Sequence, residues 1–416
     1  MRLLGMTPPS PRGFATLKRP QTVAVEQIEA DQAYLIELSR KIHAHPELAY
    51  EEVEAAALLA SSLASRGFAV ETGIAGIATA FDARFCGMGP GPTIALLAEY
   101  DALPEVGHGC AHNLIGAGIV GAALGIARVM PKLAGTLRVI GTPAEEFTEG
   151  KPGKIRLLEE GVFSGIDACL LFHPKPMTAI ALAECGCTVL DIAFRGRAAH
   201  AAADPWNGLN ALDAVVLTYN GLSMMRQQLK VECRLHAIIT KGGDTVNIIP
   251  SSTALRIMVR SPEACDLQDL ATKVEDCARG SALATGTEVG VRVVCCLQPP
   301  RFNHVLSQVV SRNLTALGES PQQIELNNAS SDFGNVSQTL PALSVLIRTH
   351  PAGIIWHSRE AAHSAITEDA HSGMILAAKA LAMSVIDLLM TPQLVEEARA
   401  EFSEAQDMGR QGQPKD

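Results

Sequence analysis

The hydrophobic positions in the first half of the chain follow two patterns, a helical period and short continuous apolar runs. Apolar residues recur every three or four positions from Val25 to Ile42 and from Glu51 to Arg66, which predicts two amphipathic helices. Three apolar runs follow, separated by helix-like segments: Thr93–Ala98, Leu137–Gly141 and Ala168–Phe172. Strands that alternate with helices usually form a parallel sheet. The pattern therefore predicts an α/β fold with a mixed, mostly parallel sheet.

The pattern changes near Cys185, where the order of the predicted elements becomes β-α-β-β-α-β. This order is that of a small ferredoxin-like α+β domain. Its predicted elements are the strands Cys187–Phe194, Arg234–Thr240, Ser252–Val259 and Glu288–Leu297 and the helices Gly208–Met225 and Asp266–Ala282. After Pro300 the first pattern returns, with a strand at Leu343–Ile347 and a long apolar helix at Gly373–Leu389. The small domain is therefore expected to be inserted into the larger one.

These changes predict the domain boundaries. The larger, catalytic domain is expected in two parts, residues 25–185 and 299–395, with the inserted domain at residues 186–298. Residues 1–24 carry basic residues, prolines and no acidic residue, and residues 397–416 are mostly polar. Both ends are predicted to be flexible, although the basic first segment is also compatible with an organelle-targeting signal.

The composition limits the class of partner. A chain of 416 residues with 47% hydrophobic and 19% charged residues is globular and long enough for two domains. The net charge of -10 argues against a nucleic acid or an anionic membrane as partner, because both require a basic face. The longest uncharged apolar run, Leu114–Ala127, is too short to span a bilayer. We therefore expect a small-molecule substrate. The ten cysteines contain no Cys-x-x-Cys pair, which favours a reducing cytoplasm.

Polar side chains follow each of the three strands predicted in the first half. Glu99 and Asp101 come after the first strand, Glu145 and Glu146 after the second, and His173 after the third. The carboxyl ends of parallel strands lie at one edge of a sheet, where open α/β folds place their sites. We expect a functional site at this edge.

Five residues form a candidate metal-binding set with one thiol, one carboxylate and three imidazoles: Cys110, Glu146, His112, His173 and His363. Such a mixed set suits zinc, manganese or cobalt better than calcium or magnesium. Five ligands are more than one tetrahedral ion can bind, and they would suit two ions that share a bridging ligand. Taken singly, each histidine is equally compatible with a surface or core role, and the cysteine with a buried apolar thiol.

Glu145 and Glu146 are expected to have separate roles. Adjacent residues of an extended chain point to opposite sides, so one carboxylate would bind metal and the other would transfer protons. A solvated pair of loop glutamates is the alternative.

Several ordered motifs resemble peptidase and amidohydrolase family M20, in the branch of peptidase M20 domain-containing protein 2 and aminobenzoyl-glutamate hydrolase. The motifs are Glu99–Pro104, Gly107–Asn113, Gly141–Glu146, His173-Pro174 and Ser331–Ser337. The resemblance implies a two-metal amide hydrolase with an inserted lid domain that also forms a homodimer. By motif position it implies that Glu145 is the general base and Glu146 a metal ligand, with Cys110, His112, His173 and His363 completing the metal shell.

The same resemblance assigns two residues in the inserted domain. His200 matches a histidine that polarises the scissile carbonyl, often in the partner subunit, and Asn247 matches an asparagine that holds the substrate; a structural turn is an alternative for Asn247. The chain departs from the family pattern at Ala111, where glycine is usual, and at Ser364 after the last histidine. A further departure is Glu99, where classical di-zinc members carry histidine.

These observations predict a metal-dependent hydrolase that cleaves the amide bond of small dipeptides or N-acyl amino acids with a metal-activated water. Two other hypotheses remain open from the sequence. One is a non-catalytic binding or regulatory homologue that has lost its metal through the changes near Ala111 and Ser364. The other is a specialised amidohydrolase that acts on a bulky acyl-amide.

Overall fold

The structure is a computed structural model that describes residues 19–411. Its α-helices are α1 (Arg19–Ala30), α2 (Gln32–Ala44), α3 (Val53–Ala64), α4 (His112–Ala127), α5 (Gly153–Glu159), α6 (Ala211–Met225), α7 (Ala264–Thr285), α8 (His304–Ala316), α9 (Phe333–Ser337), α10 (Arg359–Ser364), α11 (Glu368–Met390) and α12 (Pro392–Gln411). Its strands are β1 (Ala69–Thr72), β2 (Phe81–Cys86), β3 (Thr93–Ala98), β4 (Thr136–Gly141), β5 (Ala168–Lys175), β6 (Ala179–Ala181), β7 (Gly186–Arg195), β8 (Arg234–Lys241), β9 (Ser252–Ser261), β10 (Glu288–Leu297), β11 (Gln322–Ile324) and β12 (Ala342–Arg348).

An eight-stranded sheet forms the centre of the larger part, in the order β1-β2-β4-β3-β5-β12-β6-β11. The four middle strands β4, β3, β5 and β12 are parallel neighbours. The strands β1, β2 and β6 add antiparallel pairs, and β11 runs parallel to β6. The middle strands are apolar along almost their whole length because helices and loops cover both faces of the sheet. The predicted mixed, mostly parallel α/β sheet is confirmed.

Two long apolar helices, α4 and α11, pack against each other and against the central strands. By length and composition alone, the segments His112–Lys132 and Glu368–Met390 are apolar enough to cross a membrane. However, 83% and 78% of their apolar windows are buried inside the protein. Their position in the core therefore accounts for their composition.

A second sheet contains the four strands between Gly186 and Leu297, in the order β10-β7-β9-β8, and all its pairs are antiparallel. The helices α6 and α7 pack together and cover one face, where they bury Ile192, Leu255 and Ile257. The chain order is β-α-β-β-α-β, as the hydrophobic pattern predicts. Strand β8 lies at one edge of this sheet and β10 at the other.

The structure differs from the sequence prediction at the first helix and at both ends. The helical period from Val25 belongs to two helices, α1 and α2, which meet at Asp31 and both pack against α4. Residues 19–24 and 397–411, predicted as parts of flexible ends, are helical because α1 and α12 bury apolar side chains such as Ala24 and Val395. The remainder of the predicted flexible ends, residues 1–18 and 412–416, lies outside the described residues.

The close packing of α4 predicts opposite effects for two glycine substitutions. A Cβ at Gly125 of α4 would lie 2.9 Å from the backbone oxygen of Ala24, whereas a Cβ at Gly280 of α7 would meet nothing within 4 Å. We expect Gly125→Ala to lower the free energy of unfolding by about 1–3 kcal/mol. Gly280→Ala is expected to raise it by roughly 0.5–1 kcal/mol, because alanine is the better helix former. Denaturant titrations would measure both, and equal shifts would contradict the packing argument.

Candidate metal centre

The candidate site lies where β3, β4 and β5 end. Because these strands are parallel neighbours, their carboxyl ends bring Asp101, Glu145, Glu146 and His173 to one edge of the sheet. The amino terminus of α4 adds His112 to the same edge. The structure thus brings together segments that are far apart in sequence, as the strand pattern predicts.

The turn before α4 allows two potential ligands, Cys110 and His112, to reach the same site. Ala111 separates Cys110 from His112 and has a φ of 60°, in the left-handed region that favours glycine. This backbone conformation explains why glycine is usual at the position. Cys110 Sγ lies 3.7 Å from Nε2 of His173. Cys110, His112 and His173 therefore form a compact group despite the two-residue spacing.

Three overlapping groups of side chains each place three potential ligand atoms within 4.8 Å of one another. The groups are Cys110, His112 and His173; Cys110, Glu146 and His357; and His112, Glu145 and Glu146. Cys110 belongs to two groups, which is the arrangement expected when two neighbouring ions share a ligand. Glu145 and Glu146 lie in a turn rather than in extended chain, so both carboxylates approach His112. In this turn the two side chains do not point to opposite sides, as the prediction of separate roles had assumed.

Asp101 orients two of the candidate ligands, His112 and Glu146, through hydrogen bonds. Its Oδ1 lies 2.8 Å from Nδ1 of His112, and its Oδ2 accepts a 2.9 Å hydrogen bond from the backbone N–H of Glu146. The opposite ring nitrogen of His112, Nε2, is buried and has no hydrogen-bond partner within the described residues. It lies 3.7 Å from Oε2 of Glu99 and 3.7 Å from Oε2 of Glu145. A histidine that a carboxylate holds at one nitrogen while the other stays unpaired fits a metal ligand.

Burial and neighbouring charges shift the pKa values of these groups in different directions. Burial lowers the pKa of His173 to about 3, which keeps its imidazole neutral and able to bind a cation. Burial, together with the carboxylates of Glu146 and Glu99, raises the pKa of Glu145 well above its ordinary value. Burial opposes ionisation of Glu146 too, but the hydrogen bond with His357 prevails and lowers its pKa to about 2. The two adjacent glutamates therefore differ in basicity, which suits a ligand and a proton acceptor.

A buried lysine balances the acidic edge of the sheet. Lys154 in α5 lies 2.7 Å from Oε1 of Glu99 and 2.5 Å from Oδ1 of Asp332, and all three side chains are fully buried. Burial opposes each charge, yet the two carboxylates raise the pKa of Lys154 and the ammonium lowers that of Glu99. Asp332 belongs to the Ser331–Ser337 motif, but no sequence signal marks Lys154. This ion triad holds α5 and the start of α9 against the end of β3.

The structure brings His357, and not His363, to the candidate site. His363 lies on α10 with an exposed side chain and belongs to none of the potential ligand groups within residues 19–411. His357 lies in the loop after β12, has a φ of 57°, and places Nε2 3.3 Å from Oε1 of Glu146. The predicted ligand His363 is therefore replaced by His357 as the candidate. One feature of the sequence favours His357 as a ligand. It comes directly before the N-cap residue of a helix, Ser358 of α10, as Cys110 comes directly before the N-cap residue of α4.

His200 and Asn247 lie in the inserted part of the chain, on neighbouring loops beside the second sheet. The backbone N–H of Ala201 donates to the carbonyl oxygen of Asn247, and both predicted substrate-binding side chains are exposed. Among the described residues, no hydrogen bond or ion pair joins either side chain to the metal group. The structure therefore places His200 and Asn247 beside each other.

Comparison with known proteins identifies the family. Residues 95–382 match peptidase family M20/M25/M40. The chain belongs to this family. It is 36% identical to an Xaa-Arg dipeptidase from Mus musculus, over 95% of this chain and 94% of the relative. It is also 30% identical to a subunit of the p-aminobenzoyl-glutamate hydrolase from Escherichia coli, over 92% of this chain and 94% of the relative.

A solved structure of an M20 protein has the same fold. The Bacillus subtilis protein, described as a dinuclear metal-binding peptidase, matches 87% of this chain and 99% of its own with a TM-score of 0.70 and 22% identity. The M20 resemblance inferred from the motifs is thus confirmed. The protein is an enzyme, a metal-dependent hydrolase of amide bonds. The donor atoms at the sheet edge fit divalent metal ions.

The ion triad predicts a large loss of stability when its lysine is removed. We expect Lys154→Met to lower the free energy of unfolding by about 3–5 kcal/mol, because Glu99 and Asp332 would keep buried charges without their cation. Lys151→Met is the matched control, since the side chain of this lysine is 59% exposed and pairs with Glu159 at the surface. A change within about 0.5 kcal/mol is expected. Similar values for both variants in denaturant titrations would refute the structural role of Lys154.

Proposed function

We propose that the protein hydrolyses small dipeptides or N-acyl amino acids with two divalent ions, either zinc, manganese or cobalt. The observation that carries this proposal is the set of three overlapping ligand groups, in which Cys110, His112 and Glu146 each belong to two groups. Thiolate, imidazole and carboxylate donors together suit these metals. In this proposal the ions are held by Cys110, His112, Glu146, His173 and His357.

Glu145 is the proposed general base. When bound, divalent ions polarise the scissile carbonyl and lower the pKa of water. Glu145 is buried beside His112 and, unlike Glu146, keeps a raised pKa. Its carboxylate accepts a proton from the attacking water and donates it to the leaving amine, so that proton transfer does not depend on bulk solvent.

His200 is the proposed oxyanion donor. Its Nδ1 accepts hydrogen bonds from the backbone N–H groups of Ala202 and Ala203, at 3.2 and 3.1 Å. An imidazole that accepts at Nδ1 carries its proton at Nε2, so Nε2 faces outward as a hydrogen-bond donor. Such a donor stabilises the negative oxygen of a tetrahedral intermediate. Asn247, on the neighbouring loop, is the proposed contact to the rest of the substrate.

The second sheet is the proposed lid. Arg256 in β9 donates to Asp191 in β7, at 2.7 Å from Nε, and to both carboxylate oxygens of Glu149, at 2.6 Å from Nη1. Glu149 follows the glutamates of the metal centre by only three residues. This contact supports a lid whose position is coupled to the loop that carries Glu145.

A homodimer is proposed to form through the inserted part of the chain. The edge strand β8 exposes 62% of Ile238 and 44% of Ile239, and α6 exposes 45% of Leu217 and 73% of Met224. Exposed apolar side chains on an unpaired edge strand favour pairing with another chain. A dimer would also place the exposed His200 within reach of a second subunit. A cytoplasmic location is proposed because all ten cysteines are free.

The proposed base predicts a selective loss of turnover. Metal-loaded wild-type enzyme is expected to release an amine from at least one member of a panel of dipeptides, including Xaa-Arg peptides, p-aminobenzoyl-glutamate and N-acyl amino acids. Glu145→Gln should keep the wild-type metal content and lose about 10²–10⁴-fold in kcat. Glu160→Gln, which changes an exposed carboxylate at the end of α5, is the control and should keep the turnover of the wild type. Full activity of Glu145→Gln would exclude its role as the base.

The metal shell predicts different outcomes for two histidines that lie close in sequence. His357→Ala removes a proposed ligand and should weaken metal binding by more than the roughly 10–100-fold that loss of an outer partner costs. His363→Ala removes an exposed side chain outside the group and should bind metal as the wild type does. Elemental analysis after dialysis against a weak chelator measures both. The reverse result would restore His363 as the ligand.

A further inference from the structure

A cavity lies at the amino-terminal ends of β3 and β4, whereas the metal centre lies beyond the carboxyl ends of these strands. It has a volume of about 550 Å³ and is lined by the first residues of β3 and β4, including Thr93 and Thr136, and by the turn at 161–165. The metal ligands follow the last residues of these strands. Six residues of strand, at ~3.3 Å each, separate the two places by roughly 20 Å. The volume lies within the usual range of small-molecule sites.

Two arginines face each other across the wall of this cavity. Arg84 in β2 and Arg138 in β4 are direct cross-strand partners, an arrangement in which like charges repel. Both use the single carboxylate of Asp82. Arg138 donates from Nε and Nη2 at 3.2 and 2.7 Å, and Arg84 approaches Oδ2 with Nε at 2.7 Å and Nη2 at 2.6 Å.

This shared carboxylate leaves both guanidinium groups incompletely paired. Asp82 is only 2% exposed, and the contacts from the two arginines occupy both of its oxygens. Within the described residues, no hydrogen bond or ion pair uses Nη1 of Arg84 or of Arg138. The side chains of Arg138 and Arg84 are 9% and 53% exposed, and neither Nη1 is a fully buried atom, so both are open to the solvent of the cavity. Glu71 also lines the cavity, but it is exposed and forms no ion pair with either arginine in the described part of the chain.

The opposite wall supplies neutral donors. Ser164 and Gly165 line the cavity, and within residues 19–411 neither the Ser164 hydroxyl group nor the Gly165 backbone N–H donates a hydrogen bond. Two guanidinium groups with N–H groups that no described residue accepts, opposed by a hydroxyl and an amide N–H, form a donor-rich site in which two arginines face the carboxylates of Asp82 and Glu71. Such a donor set recognises planar or tetrahedral oxyanions.

We propose that this cavity is a second ligand site that binds a compact oxyanion, the phosphate or carboxylate group of a small metabolite, between Arg84 and Arg138. The bound anion accepts from the two Nη1 groups and relieves their mutual repulsion. The site is independent of the hydrolytic centre, because none of its residues belongs to the metal group. It does not rest on the proposed substrate.

Calorimetric titration of the metal-loaded enzyme with inorganic phosphate and, separately, with malonate tests this proposal. Arg84→Gln is the test variant, because Arg138 still pairs with Asp82 and the fold is retained. Arg279→Gln is the control, since this arginine is 60% exposed and pairs with one carboxylate, Glu275. We expect Arg84→Gln to weaken binding of at least one anion by about tenfold, as for loss of a charged hydrogen bond, and Arg279→Gln to leave it unchanged.

The two anions distinguish a phosphate from a carboxylate ligand. Turnover by Arg84→Gln should equal that of the wild type, which separates this site from the hydrolytic centre. Equal affinities of Arg84→Gln and wild type would mean that the anions bind only at the metal ions. That result, or no binding of either anion to the wild type, would overturn the proposal.

Discussion

The concentration of acidic side chains at one edge of the large sheet is the constraint on which the rest of the structure depends. Glu99, Asp101, Glu145 and Asp332 are buried there within a small volume. Buried carboxylates are tolerated only when cations or donors compensate them. Lys154 supplies a permanent cation for Glu99 and Asp332. Nδ1 of His112 and the backbone N–H of Glu146 compensate Asp101. The carboxylate of Glu146 and the unpaired Nε2 of His112 remain for divalent ions, so the need for charge compensation and the capacity to bind metal have one origin.

Much of the fold follows from local patterns in the sequence. The apolar runs at Thr93–Ala98 and Ala168–Phe172 form β3 and β5. A parallel strand that is buried on both faces is apolar along its whole length, so it can be predicted without knowing which strands lie beside it. Cys110, His112, Glu146 and His173 were recognisable because each lies at or near the end of a strand or at the start of a helix. Their convergence then followed from the parallel order of the strands.

The rest depended on contacts between residues far apart in sequence. His357 and His363 are both near the last helices, and only the path of the loop after β12 decides which one reaches Glu146. Lys154 has the local pattern of an ordinary helix lysine, and its burial arises from Asp332, which lies 178 positions away. Likewise, Glu145 and Glu146 lie in a turn and not in the extended chain that the sequence pattern predicts.

Three residues at the metal centre adopt left-handed backbone conformations without being glycine: Ala111, Ala144 and His357. Each is a candidate ligand or directly adjoins a candidate ligand or the proposed base, and each conformation costs an L-residue roughly 1–2 kcal/mol. The backbone strain is therefore located in the three segments around the candidate metal site rather than in the strands of the sheet. Removal of bound cations is therefore expected to loosen these segments first, as local unfolding of the catalytic edge while the central strands remain assembled.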